Sequence, residues 1–165
     1  MRTAEGGVVA ERDDPRRLFD GHPAGALWSE LWSELQAAYF EGYSFWTHLT
    51  TPFLLARHDV DITEIEPWHE NGETWRRVRV EFPEHLVTHN RGQTPHFGAD
   101  DFLLRRHDYS PGLLGNPLTA HYTTEYRTFD GFAFPTRRYV LRREPDGTTS
   151  GDRLIHLDLD SVSVA

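Results

Sequence analysis

Cysteine and lysine are both missing from this chain of 165 residues. Without cysteine there can be no disulfide, no thiolate metal ligand and no cysteine nucleophile. Without lysine there is no Schiff-base chemistry and no P-loop lysine, and all 17 basic residues are arginine. Long apolar runs are missing too: the N-terminal stretch MRTAEGGVVAERDDPRR has none that would serve as a signal peptide or a membrane span, so the expected location is cytoplasmic, with no membrane partner. Basic charge is scarce overall, and a net charge of −9 argues against nucleic acid as a partner. The chain contains no GxSxG, GxGxxG, Walker or kinase signature, and no HExxH or HxH pattern. His85 and His89 are four apart, and on an expected strand that separates them by roughly 13 Å, too far for one ion. No metal and no cofactor are therefore expected.

What the chain has in excess is aromatic residues, 13% in all. Each buries a large area and favours sheets and cavity walls. Residues 1–25 lack periodicity and read as a flexible N-terminal arm pinned at Leu18-Phe19, leaving 26–165 as a single domain. From Leu27 to Leu49, Leu27, Leu31, Leu35 and Ala38 recur at helical spacing, and Trp28, Trp32, Tyr39, Phe40, Tyr43 and Trp46 widen the stripe. That helix should stop before Pro52. Beyond it the period changes to two. Strands are expected over Asp61–Trp68, Thr74–Phe82, Leu86–Phe97, Phe102–Tyr109, Leu118–Arg127, Phe132–Glu144 and Arg153–Val164, and Asn71-Gly72 is a strong hairpin signal. The fold class is α+β: a curved antiparallel β-meander of about seven strands, a half-barrel, wrapped around an aromatic-rich N-terminal helix.

The chemistry concentrates between Val87 and Tyr109. Alternation on the expected strand Leu86–Phe97 groups His89 with Gln93, His89 as general acid or base and Gln93 as an orienting hydrogen-bonder. A competing reading is a histidine satisfied by a backbone carbonyl. Leu104, Arg106 and Asp108 share one strand face, and Leu103, Arg105, His107 and Tyr109 the other, so His107 and Asp108 cannot pair with each other. A cross-strand pair of His89 with Asp108 is the alternative, against a plain salt-bridge ladder on a wet face. On Leu118–Arg127, the face with Tyr122 is expected inside and His121 outside. Arg138 could hold a carboxylate or enolate oxygen, or belong to a solvated face.

Several stretches, YFEGYSFWTHLTTPFLL (Tyr39–Leu55), FPEHLVTH (Phe82–His89), LLRRHDY (Leu103–Tyr109), AHY (Ala120–Tyr122) and FPTRRYV (Phe134–Val140), together resemble a family of small bacterial proteins common in actinobacteria. The family is loosely similar to the curved-sheet carriers LolA and LppX, and the resemblance implies a concave, apolar, ligand-sized cavity. It transfers no activity. The chain departs from exported carriers in lacking a signal peptide and a lipidation cysteine. The arginine-only basic set and the three isoleucines agree with a GC-rich, actinobacterial source.

These readings converge on a cofactor-independent acid–base enzyme, of cyclase, isomerase or dehydratase type, acting on a small, largely apolar metabolite such as a polyketide-like intermediate. His89, Asp108 and Tyr109 are its expected catalytic residues, and Tyr43, Trp46, Gln93, Tyr122 and Arg138 its expected substrate-binding residues. Asp108 and Tyr109 point to opposite faces, which counts against this set. The alternative is a non-catalytic carrier or sensor for an apolar small molecule in the half-barrel. A third reading is an interaction module, with the helix or a sheet edge as the surface of a homodimer.

Overall fold

A computed structural model describes residues 13–20 and 32–164. Within them one α-helix, α1 (Glu34–Thr50), precedes seven strands: β1 (Asp61–Glu70), β2 (Glu73–Glu81), β3 (Gly92–Gly98), β4 (Leu104–Tyr109), β5 (Thr119–Phe129), β6 (Phe132–Arg143) and β7 (Thr149–Asp158). The strands form one antiparallel sheet in chain order, an open, curled half-barrel with α1 against one face. The expected α+β meander is therefore the observed architecture.

The boundaries differ where local chemistry intervenes. Leu27 and Leu31 lie outside the described residues, and α1 starts only at Glu34. Ser33 stops the helix from extending further back: its Oγ accepts from Gln36 N at 3.4 Å, while Gln36 Oε1 accepts from Ser33 N at 2.7 Å. This is a reciprocal capping box. Of the expected N-terminal arm, residues 13–20 are described. They contain a 3-10 turn, Pro15–Phe19, and Phe19 is buried against Trp32 and Tyr39.

Two hairpins follow their turn residues closely. Asn71 and Gly72 have φ of 52° and 79°, and Asp130 and Gly131 have 49° and 85°, the left-handed pairs that two-residue hairpin loops require. The strand expected over Leu86–Phe97 is shorter, and residues 82–91 form a loop instead. Pro83 cannot donate to a ladder, and Phe82 N and Arg91 Nε close the loop's neck by donating to Arg91 O and Phe82 O. The last strand begins at Thr149 rather than Arg153, because the Glu144–Thr148 turn reverses the chain at once.

Both faces of the central strands are covered. On the helix side lie His107, Tyr109, His121, Arg138 and Val140. On the far side the end of β1 and the β6–β7 turn come together over Arg106. Its guanidinium donates to both oxygens of Asp108 at 2.6 and 2.9 Å, to Glu70 Oε2 at 3.0 Å and to Gly147 O at 2.7 Å. It also lies 5.4 Å from the Trp68 ring and 5.5 Å from the Tyr122 ring. Arg106 thus ties β1, β4, β5 and the β6–β7 turn through one buried, fully engaged cation.

Candidate functional site

The helix side holds a cleft of about 290 Å³ between α1, the loops after β4 and strands β5–β7. Its walls are largely apolar: Phe40, Phe45 and Leu49 from α1, Leu114 from the loop, and Val140 and Leu157 from the sheet. Its inner end is a cluster of polar rings. His48 projects from α1, with its ring centroid 4.5 Å from His121, 5.0 Å from Tyr109, 5.2 Å from His89 and 5.6 Å from His107. Strand register builds the sheet side of the cluster, since His107 of β4 is paired with His121 of β5, and Thr123 of β5 with Arg138 of β6.

His89 reaches the cluster from the 82–91 loop. Its ring stacks on Tyr109 at 4.5 Å and 6°, and its Nδ1 is 3.2 Å from the Tyr43 hydroxyl. The loop is held by backbone contacts. Gly112 N donates to His89 O at 3.0 Å, Ser110 N to Asn90 Oδ1 at 2.9 Å, and Gln93 Nε2 to Asn90 O at 2.8 Å. Gln93 is therefore placed where it supports the loop carrying His89 and does not line the cleft.

Electrostatically the cluster is a group of neutral imidazoles around one cation. Burial lowers His89 and His107 to about 3, helped by the His107 ring for His89 and by Arg138 for His107. His48 and His121 are also driven well below the ordinary value, first by burial, then by His121 in the case of His48 and by Arg138 in the case of His121. Burial raises the Tyr43 and Tyr109 phenols. Arg138 is 2% exposed, and burial lowers it to about 10, so it is still charged at neutral pH. Several polar atoms here have no hydrogen-bond partner among the described residues: His48 Nε2, both ring nitrogens of His107, His121 Nδ1, and Arg138 Nε and Nη2. No group of histidines and carboxylates among the described residues has the geometry to hold a metal ion.

Of the residues singled out from the sequence, His89, Tyr109 and Arg138 line the cleft, and Tyr43 stands behind His89. Trp46 is 43% exposed and lies outside the lining. Asp108 and Tyr122 are on the far side, where Asp108 binds Arg106 and the Tyr122 hydroxyl donates to Glu70 Oε1 at 2.7 Å. The expected pairing of His89 with Asp108 does not form, because the sheet lies between them. His121, expected on a wet face, is buried because the first half of β5 is covered on both sides. No pattern in the sequence marks His48. It sits beside the Phe40, Tyr43 and Thr47 stripe, and only the sheet's approach makes its position an inner one.

No protein-family model matches the sequence, and a search of curated proteins finds no match. Among solved structures, the chain is similar to a LolA superfamily protein from Nitrosomonas europaea, at 14% identity and a TM-score of 0.44 over 61% of the chain. It spans 43% of that protein's length.

Proposed function

We propose that the protein binds a small, largely apolar molecule in the cleft between α1 and β5–β7, as a carrier or sensor. The observation that carries this reading is the cleft itself, which is walled by aromatic and aliphatic side chains and closed at its inner end by neutral imidazoles around one arginine. Sites for small molecules commonly combine a mostly apolar lining with a few convergent polar atoms, at volumes from about 300 Å³ upward. An acid–base enzyme acting on a polyketide-like intermediate is the second reading, favoured by His89 and Tyr109 sharing the cleft wall. It has two weaknesses. Asp108 is on the other face of the sheet, and a histidine lowered to about 3 is a poor base near neutral pH. A cytoplasmic location is part of the same proposal. No described helix is long and apolar enough to cross a membrane.

The test is titration with N-phenyl-1-naphthylamine, a neutral apolar dye that brightens on leaving water. Wild type should give saturable enhancement. Ser44→Trp, which places an indole in the cleft from an α1 position that is only half-buried, should weaken binding by more than about 10-fold. Equal binding by the two proteins, or none by wild type, would count against the cleft as the site.

A further inference from the structure

Two buried arginines, Arg106 on β4 and Arg138 on β6 with β5 between them, are treated in opposite ways. Arg106 has its charge balanced by Asp108 and Glu70 and its N–H groups satisfied by carboxylate and carbonyl oxygens. Arg138 is as deeply buried, yet among the described residues it has neither an ion-pair partner nor a hydrogen-bond acceptor. No nearby oxygen accepts from it among the described residues. The hydroxyls of Thr123 and Tyr126 both donate to Leu104 O, at 2.6 and 2.8 Å. Burying a cation without a counter-charge is among the costliest arrangements in a folded protein, and a native chain keeps one where something arrives to balance it. Arg138 lines the apolar cleft, so what arrives comes through the cleft.

We infer that the ligand is an amphiphile with a single negative charge, an apolar carboxylate, whose carboxylate lies against Arg138 and whose apolar body fills the cleft. This rests on the cleft being the binding site, as proposed above. The charge count argues for a monoanion. Among the described residues Arg138 is the one buried cation of the inner cluster, and the four histidines around it are neutral at pH 7; Arg142, the other arginine of the lining, is exposed, so one buried negative charge is balanced and a second is not. The planar guanidinium suits a carboxylate through two parallel N–H donors, and Nε and Nη2 are the two that are free. Neutral imidazoles can each add one N–H donor. His48 Nε2 and His121 Nδ1 are buried and without partners beside the same cavity.

The experiment displaces N-phenyl-1-naphthylamine from the full-length protein at about pH 8 with decanoate, decanol and decylamine, which share a tail and differ in head-group charge. The expected order is decanoate first, by about 10- to 100-fold over decanol, with decylamine last. In Arg138→Met, which removes the charge and keeps an unbranched side chain, the preference for decanoate over decanol should fall to about 1. If decanoate and decanol displace the dye equally from wild type, the carboxylate inference falls and the apolar-cleft reading survives. If the dye does not bind saturably, both fall. Should Arg138→Met fail to fold, as judged by circular dichroism, the three-ligand series on wild type still decides the question.

Discussion

The Arg138 guanidinium is 2% exposed, and no carboxylate among the described residues lies within ion-pair range of it. Burial lowers it to about 10, which means that the folded chain disfavours its charge. Replacing it with methionine should therefore stabilise the ligand-free protein, by on the order of 1–3 kcal/mol. Thermal unfolding of Arg138→Met without ligand checks this, and a lower melting temperature would mean that Arg138 has a partner. The same substitution is expected to weaken decanoate binding, so stability and binding should move in opposite directions at one position. Arg106 makes the contrast. Its removal would leave Asp108 with only the longer arginine contact, to Arg143 at 3.5 Å, and Glu70 close by, so a gain in stability is not expected there. The sequence presents both arginines alike, as members of Arg-Arg pairs on strands, and alternation assigns each to a face. Alternation puts Asp108 on the face of Arg106, two residues along the same strand, whereas the second partner Glu70 and the lack of any carboxylate at Arg138 depend on residues far away in the chain.

At the scale of elements, periodicity and turn chemistry located the helix and the seven strands, and the Asn71-Gly72 and Asp130-Gly131 pairs set two hairpins. Periodicity loses its meaning where the chain leaves regular structure. The 82–91 loop contains enough apolar residues to pass for a strand, and its shape depends on contacts with Gly112 and Ser110 from the loop after β4. The β6–β7 turn is the other element that local pattern described incompletely. Gly147 has a φ of 93°, and a Cβ there would come 2.8 Å from Trp68 Cη2. Trp68 cannot withdraw easily because it packs on Arg106 and its Nε1 donates to Glu70. Gly147→Ala should thus cost about 1–3 kcal/mol from combined backbone strain and steric displacement. Gly151→Ala is the control, with a φ of 82° and nothing within 4 Å of its added Cβ. Urea denaturation midpoints of the two variants should differ, with Gly147→Ala the lower. Equal midpoints would show that Trp68 yields without cost.

For the whole molecule, the controlling fact is that a sheet covered on both faces buries histidines on each. His48, His89, His107 and His121 lie on the helix side. His96 lies on the far side, where burial and then Arg106 hold it at about 3. In the unfolded chain these groups titrate near 6.5, whereas folded His89, His96 and His107 accept protons only near 3. Between those values the unfolded state binds more protons. Stability is therefore full above about pH 6.5 and declines as pH falls, each histidine adding a slope approaching 1.4 kcal/mol per pH unit, about the value of one pKa unit. Urea midpoints measured from about pH 7.5 down to about pH 4 should fall steeply; a flat profile would mean that the histidines are not buried in their neutral form. By itself the sequence determined the α+β meander, the absence of thiol and lysine chemistry, and the opposite orientation of Asp108 and Tyr109, because these follow from residue identity and from the two-residue period of a strand. Tertiary structure alone decided that Glu70 and Gly147 join Asp108 around Arg106, that His48 and His121 are inside, and that Arg138 stands unpaired at the end of an apolar cleft. Those outcomes depend on which surfaces meet when the sheet curls, and burial and charge pairing are properties of that meeting.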